Sequence, residues 1–224
     1  MKIAVLDYHH KDKNIAETNK IVRRLIKAGA SLNGSDIYRI FNGDYPNVDD
    51  YDGFVLSGSD KDNLLKRADA RRSINIVEKA DSLDKKVLAF CGGFELIAVV
   101  YGFKYEEMPL EKRESGWYKI KLTENGRNDQ MFIGVPEKYV IFQRHKKIIT
   151  DVDKDKILAR NNYIQAIRFS KNIAGMQGHP EDKFIEAEEY INRYGRLNDF
   201  IPDSSDFVLN NYDIIFENFI NMID

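Results

Sequence analysis

Apolar residues in the first half of the chain alternate between two periods. Ile3-Ala4-Val5-Leu6 is a short unbroken apolar run and predicts a buried strand over residues 2–7. Ile15, Ile21, Val22, Leu25 and Ile26 then recur on one face of a helix spanning residues 15–28. A second strand is expected near residues 36–41. A third covers residues 52–59, where Phe54-Val55-Leu56 runs into the small residues Ser57-Gly58-Ser59. Residues 61–83 are charge-rich and predict one long helix. Val87-Leu88-Ala89-Phe90 predicts a fourth buried strand, and residues 94–100 another helix. Such strand–helix alternation predicts an α/β fold with a mostly parallel sheet flanked by helices. The second half changes character. Closely spaced strands are expected over residues 117–122, 138–145, 156–160, 163–169 and 173–177, an additional part that is antiparallel. Helices are expected over residues 183–194 and 207–222, separated by a polar break at 196–205. The whole reads as a single domain over 1–224, with 182–224 a helical C-terminal extension.

Composition narrows the function classes. The chain is 26.0 kDa, 43% hydrophobic and 31% charged, ordinary values for a folded domain. A net charge of −2 and a pI of about 6.1 give no overall basic surface for nucleic acid or anionic lipid, so neither is expected as a partner. No apolar run approaches the roughly 20 residues that span a bilayer. One cysteine in 224 residues excludes an internal disulfide framework and suits a reducing cytoplasm. His9, His10, His145 and His179 show no ligand spacing with Cys91, so no metal is expected.

That lone cysteine carries the chemistry. Ala89-Phe90-Cys91-Gly92-Gly93 joins a strand to a helix through small residues, the pattern of a sharp elbow that leaves a nucleophile exposed. A sulfur there faces a helix N-terminus, whose partial positive charge favours thiolate. Far along the chain, Gln177-Gly178-His179-Pro180-Glu181 offers a histidine to move the proton and a carboxylate to orient it. Taken singly, the cysteine reads as a small buried residue and the histidine as part of a loop; taken together they read as a hydrolase or transferase. His145, in Arg144-His145-Lys146-Lys147, reads equally as an active-site rim residue or as the exposed end of a strand. His9-His10 follows the first strand, on the side where α/β sites gather.

These motifs resemble the class I (triad) glutamine amidotransferases over residues 1–181, most closely the stand-alone amidotransferase domain of the GMP synthase type. Ala89-Phe90-Cys91-Gly92-Gly93-Phe94-Glu95 resembles the Gly-x-Cys-x-Gly-x-Gln elbow of that family. Met176-Gln177-Gly178-His179-Pro180-Glu181 is similar to its Gln-Phe-His-Pro-Glu segment. Val55-Leu56-Ser57-Gly58-Ser59 stands where the family carries Leu-Ser-Gly-Gly, and Arg113-Glu114-Ser115-Gly116 resembles its Arg-Glu-Tyr-Gly. The resemblance implies a flavodoxin-like fold and a Cys91–His179–Glu181 triad. It also implies an oxyanion hole from Gly58, Ser59 and Gly92, and a substrate pocket lined by Glu95, Ser115, Gly116 and Trp117. The implied reaction hydrolyses the glutamine side-chain amide through a γ-glutamyl thioester on Cys91, with no cofactor. Ammonia would pass to a separate synthase, since no Gly-rich nucleotide loop follows in this sequence.

The departures from that pattern are Ala89 and Ser59 for glycines, Glu95 for a glutamine and Gly178 for an aromatic. Glu95 would bring negative charge near the thiolate, and Ser59 would be strained if its position required positive φ. They leave two alternatives open: a γ-glutamyl hydrolase or peptidase using the same triad, and a non-catalytic binding protein of the same fold.

Overall fold

The structure, a computed structural model, describes residues 1–10, 15–33, 36–61, 64–182, 205–209 and 213–223. The apolar runs of the first half form β1 (Ile3–Tyr8), β2 (Ile37–Arg39), β3 (Gly53–Ser59) and β4 (Lys86–Phe90). The second half supplies β5 (Lys104–Glu107), β6 (Glu114–Leu122), β7 (Lys138–His145), β8 (Lys147–Thr150), β9 (Ile157–Arg160), β10 (Ile164–Arg168) and β11 (Ile173–Met176). Among the described residues these build a nine-stranded sheet ordered β2-β1-β3-β4-β11-β10-β9-β6-β7, with β5 and β8 paired apart from it. Strands from β2 through β11 in that order run parallel; from β11 outward to β7 every pairing is antiparallel. The predicted α/β architecture and its antiparallel second part are both present.

Side-chain alternation divides the core into two layers. Ile3 and Val5 of β1 share one layer with Ile21 and Leu25 of α1 (Ile15–Lys27) and with Phe216 and Phe219 of the C-terminal helix. Ala4 and Leu6 share the other with Phe94 and Ile97 of α4 (Gly92–Val100). Both faces of β3 and β4 are therefore covered, which is why those strands read as unbroken apolar runs.

Two helix expectations need correction. Residues 61–83 are not one helix: α2 (Ala68–Arg72) and α3 (Ile74–Ser82) are separated at Ser73. The Ser73 hydroxyl donates to the Ala70 carbonyl and lies 2.7 Å from the buried Tyr8 hydroxyl, so a local side-chain bond interrupts the helix. The expected helix over 207–222 is instead α6 (Ile214–Asn221), numbered after the short α5 (Glu124–Asn128). Phe207 and Val208 lie alongside strand β7, where Val140 donates its N–H to the Phe207 carbonyl, because a strand edge offers unpaired backbone groups. The helix expected over 183–194 lies outside the described residues. No helix among the described residues is long and apolar enough to cross a membrane.

Candidate active site

Cys91 sits between the last residue of β4 and the first of α4, with φ 44° and ψ −108°. A non-glycine residue at positive φ costs on the order of 1–3 kcal/mol and persists where its surroundings hold it. Here the Cys91 N–H donates to the Met176 carbonyl at 3.0 Å, and the Glu95 N–H closes the first helical turn on the Cys91 carbonyl at 2.9 Å. Gly92 and Gly93 let the helix start press against β3. A Cβ on Gly92 would lie 2.8 Å from Ser59 Cβ, and one on Gly93 would lie 2.6 Å from Leu56 Cβ. The two glycines after the cysteine are thus a packing requirement as well as a turn requirement.

The histidine arrives on the neighbouring strand. Register pairs Met176 with Phe90, so the segment leaving β11 emerges beside the elbow leaving β4. The His179 N–H donates to the Phe142 carbonyl at 2.9 Å, and its Nδ1 lies 2.8 Å from Glu181 Oε1. The carboxylate fixes Nδ1 as the protonated nitrogen, and Nε2 is buried without a hydrogen-bond partner among the described residues. Gly58 lies between the Cys91 and His179 side chains: a Cβ there would be 3.3 Å from His179 Cε1 and 3.6 Å from Cys91 Cβ. Cys91, His179 and Glu181 are therefore brought together. Burial opposes charge on His179, but the Glu181 carboxylate and the Cys91 sulfur outweigh it and raise the imidazole well above its ordinary basicity.

Gly58, Ser59 and Gly92 all gather around Cys91. Ser59 ends β3 with a φ that is not positive, so the strain expected of a side chain there is absent. Its hydroxyl donates to the Tyr8 carbonyl and accepts the Lys61 N–H, bracing the loop. The room left by Gly178 is also filled: a Cβ there would lie 2.8 Å from Ile141 Cδ1 and 2.9 Å from Gln143 Nε2. Ser115 and Gly116 belong to β6, opposite Arg144 and Gln143, and the Arg144 carbonyl oxygen is 3.7 Å from Cys91 Sγ. Trp117 stands further back. Its ring packs on Phe142 at 5.3 Å, and Phe142 in turn meets His179 at 6.3 Å, so it supports the histidine across one aromatic ring.

Glu95 is buried one helical turn below Cys91. Gln177 Nε2 donates to its Oε1 at 3.1 Å, and Lys147 Nζ lies 3.7 Å from its Oε2. Burial raises the Glu95 carboxyl above the ordinary range, against the pull of Lys147, Gln177 and His145. The sequence offered no sign that Lys147 faces inward, because its partner belongs to another element. His145 is likewise buried, not the exposed end of a strand. Its Nε2 meets Glu114 Oε2 at 2.7 Å and its Nδ1 meets the Lys147 carbonyl at 2.8 Å. Gln165 and Asn161 complete the Glu114 carboxylate. His9 is buried against Asp7 and Thr18, whereas His10 is exposed. Among the described residues no group of three His, Cys, Asp or Glu could hold a metal ion.

A cysteine on a strand–helix elbow, backed by a His–Glu pair on the segment leaving the adjacent parallel strand, is the arrangement of a cysteine amidohydrolase. Residues 10–193 match the family model described as glutamine amidotransferase class-I, and the chain belongs to that family of enzymes. It is 26% identical to gamma-glutamyl peptidase 3 of Arabidopsis thaliana over 155 residues, which cover 65% of this chain and 62% of that protein's length. It is 29% identical to a glutamine-hydrolyzing GMP synthase component of Pyrococcus abyssi over 127 residues, 54% of this chain and 65% of that one. The matched region thus spans a little under two thirds of the length of each of these relatives. The fold matches a crystal structure of a glutamine amido transferase from Methylobacillus flagellatus with a TM-score of 0.75 at 13% identity, covering 100% of this chain and 96% of that one.

Proposed function

We propose that this chain hydrolyses the side-chain amide of glutamine through a γ-glutamyl thioester on Cys91, releasing ammonia for a separate synthase. The observation that carries the reading is the convergence of Cys91, His179 and Glu181 around Gly58, whose missing side chain leaves the space between sulfur and imidazole open.

The raised basicity of His179 favours transfer of the Cys91 proton to Nε2. The thiolate attacks the amide carbonyl, and the backbone N–H groups of Gly92 and Ser59 receive the oxyanion; losing one such donor costs about 3 kcal/mol. Collapse breaks the C–N bond as His179 returns its proton to the departing ammonia. A water then gives its proton to Nε2, adds to the thioester and releases glutamate with the thiolate restored. Glu181 holds the tautomer throughout. Ser115 and Gly116 line the pocket beside the Arg144 carbonyl.

A second reading, cleavage of larger γ-glutamyl compounds, is favoured by Glu95, which puts a carboxylate and its Lys147 partner where the family has an amide. Glutamate release from L-glutamine and from γ-glutamyl dipeptides, by the protein and by Cys91→Ala, tests both. Turnover of glutamine lost in Cys91→Ala supports the first reading. Turnover of dipeptides alone replaces it with the second, and turnover that survives in Cys91→Ala overturns both.

A further inference from the structure

We propose that helix α1 is a positioning element for the triad. Lys20, through Asp182, and Arg24, through the Glu181 backbone, hold the His179–Glu181 pair against Cys91. The inference rests on Cys91 being the nucleophile and deepens that reading; it does not depend on which γ-glutamyl compound is the substrate.

The need for such a hold follows from where Glu181 lies. It sits five residues beyond the end of β11, and its carboxylate is hydrogen-bonded through Oε1, on His179, while Oε2 is buried without a hydrogen-bond partner among the described residues. The backbone contributes the His179 N–H to Phe142 and a longer bond, 3.3 Å, from the Asp182 N–H to the His179 carbonyl. Helix α1 supplies the rest. Lys20 Nζ donates to Asp182 Oδ1 at 2.7 Å and lies 3.0 Å from Glu17 Oε2. Arg24 Nη2 reaches the Glu181 carbonyl at 3.5 Å, and its Nη1 pairs with Asp213, which Lys27 also engages.

Residues 17, 20, 24 and 27 form one stripe along α1 by helical spacing. Their apolar neighbours Ile21 and Leu25 fix that helix in the core. The stripe thus joins a rigid helix to the segment that carries the catalytic base, and at its other end to Asp213 at the start of α6.

Charge explains why a cation is needed at position 20. Asp182 is buried beside the Glu181 carboxylate. Burial, then Glu181 and Glu17, push its carboxyl up to about 6, while His179 and Lys20 pull it down. Above that value Asp182 is charged and anchored on Lys20. Without the lysine it would hold a proton nearer neutral pH and release the segment from α1.

The protein's single cysteine makes the test independent of substrate: the pH profile of Cys91 alkylation by iodoacetamide. Lys20→Met is expected to slow alkylation at pH 7 by about tenfold, in line with the cost of misplacing a catalytic group. The inflection near 6 is expected to move upward, and Lys20→Arg to restore the wild-type profile. Asp182→Asn releases the same anchor from the other side and should slow alkylation equally. In a Glu181→Gln background Lys20→Met should add no further loss, since the two act through one contact. A Lys20→Met or Asp182→Asn profile matching wild type overturns the proposal, even if the melting temperature falls. So does an undiminished Lys20→Met loss in the Glu181→Gln background.

Discussion

Gly58→Ala separates the geometry of the site from the stability of the fold. The added methyl would lie 3.3 Å from His179 Cε1 and 3.6 Å from Cys91 Cβ, the first slightly tighter than ordinary van der Waals contact. Relief needs a shift of a few tenths of an ångström in the imidazole, and φ at position 58 is not positive, so the backbone accepts alanine. Overpacking of this size costs about 1 kcal/mol. Replacing glycine also lowers the entropy of the unfolded chain, which offsets about 0.4–1 kcal/mol. The net change in unfolding free energy should therefore lie within about 1 kcal/mol of zero. Catalysis has no such offset, because the methyl occupies the space between nucleophile and base that the substrate carbonyl must enter. We expect kcat/KM to fall by about a hundredfold, or about 2.7 kcal/mol of transition-state stabilisation. Urea unfolding followed by fluorescence and glutamate release on the same preparation give the two numbers. Wild-type turnover in a stably folded Gly58→Ala would refute the placement of the reacting groups. A stability loss above about 2 kcal/mol would refute the packing argument.

Three further outcomes follow from the same geometry. Cys91→Gly should be inactive but more stable than Cys91→Ala by about 1 kcal/mol in denaturant unfolding, because only glycine relaxes at φ 44°. Lys147→Met leaves the Glu95 carboxylate buried without its cation and should cost about 3–5 kcal/mol, most of it recovered by adding Glu95→Gln, as a double-mutant cycle would record. His179 titrates well above the usual histidine range when folded, so its charged form contributes stability that is fully present below about pH 6.5. That contribution should fade as pH rises through the folded value. The melting-temperature difference between wild type and His179→Asn, followed from about pH 6 to about pH 10, should shrink toward alkaline pH; a flat difference would contradict the assignment.

What could be read from the sequence was local. Val87-Leu88-Ala89-Phe90 is buried on both faces and announces its strand, and Cys91-Gly92-Gly93 announces the turn because glycine spacing there has a steric cause. The His179-Pro180-Glu181 motif was equally visible, since two residues suffice to place a carboxylate on an imidazole. Features that depend on a partner elsewhere were not visible. Lys147 looked like part of a basic loop until Glu95, from another element, was found 3.7 Å away. His145 gave no sign of Glu114, which reaches it only through the pairing of β6 with β7. The break at Ser73 depends partly on the Tyr8 hydroxyl from a distant strand, and Phe207 lies against β7 because that strand's edge was available.

The position of β11 has a bearing on how the chain is made. It lies in the middle of the sheet, between β4 and β10, yet among the described strands it is the last to leave the ribosome. A nascent chain ending before Ile173 already carries Cys91 but lacks the strand that joins the parallel half to the antiparallel half, and with it His179. Closing the sheet and bringing His179 to Cys91 are then one event: Met176 pairs with Phe90 and accepts the Cys91 N–H as His179 comes into place. Cys91 and His179 meet only once the two halves of the sheet are joined.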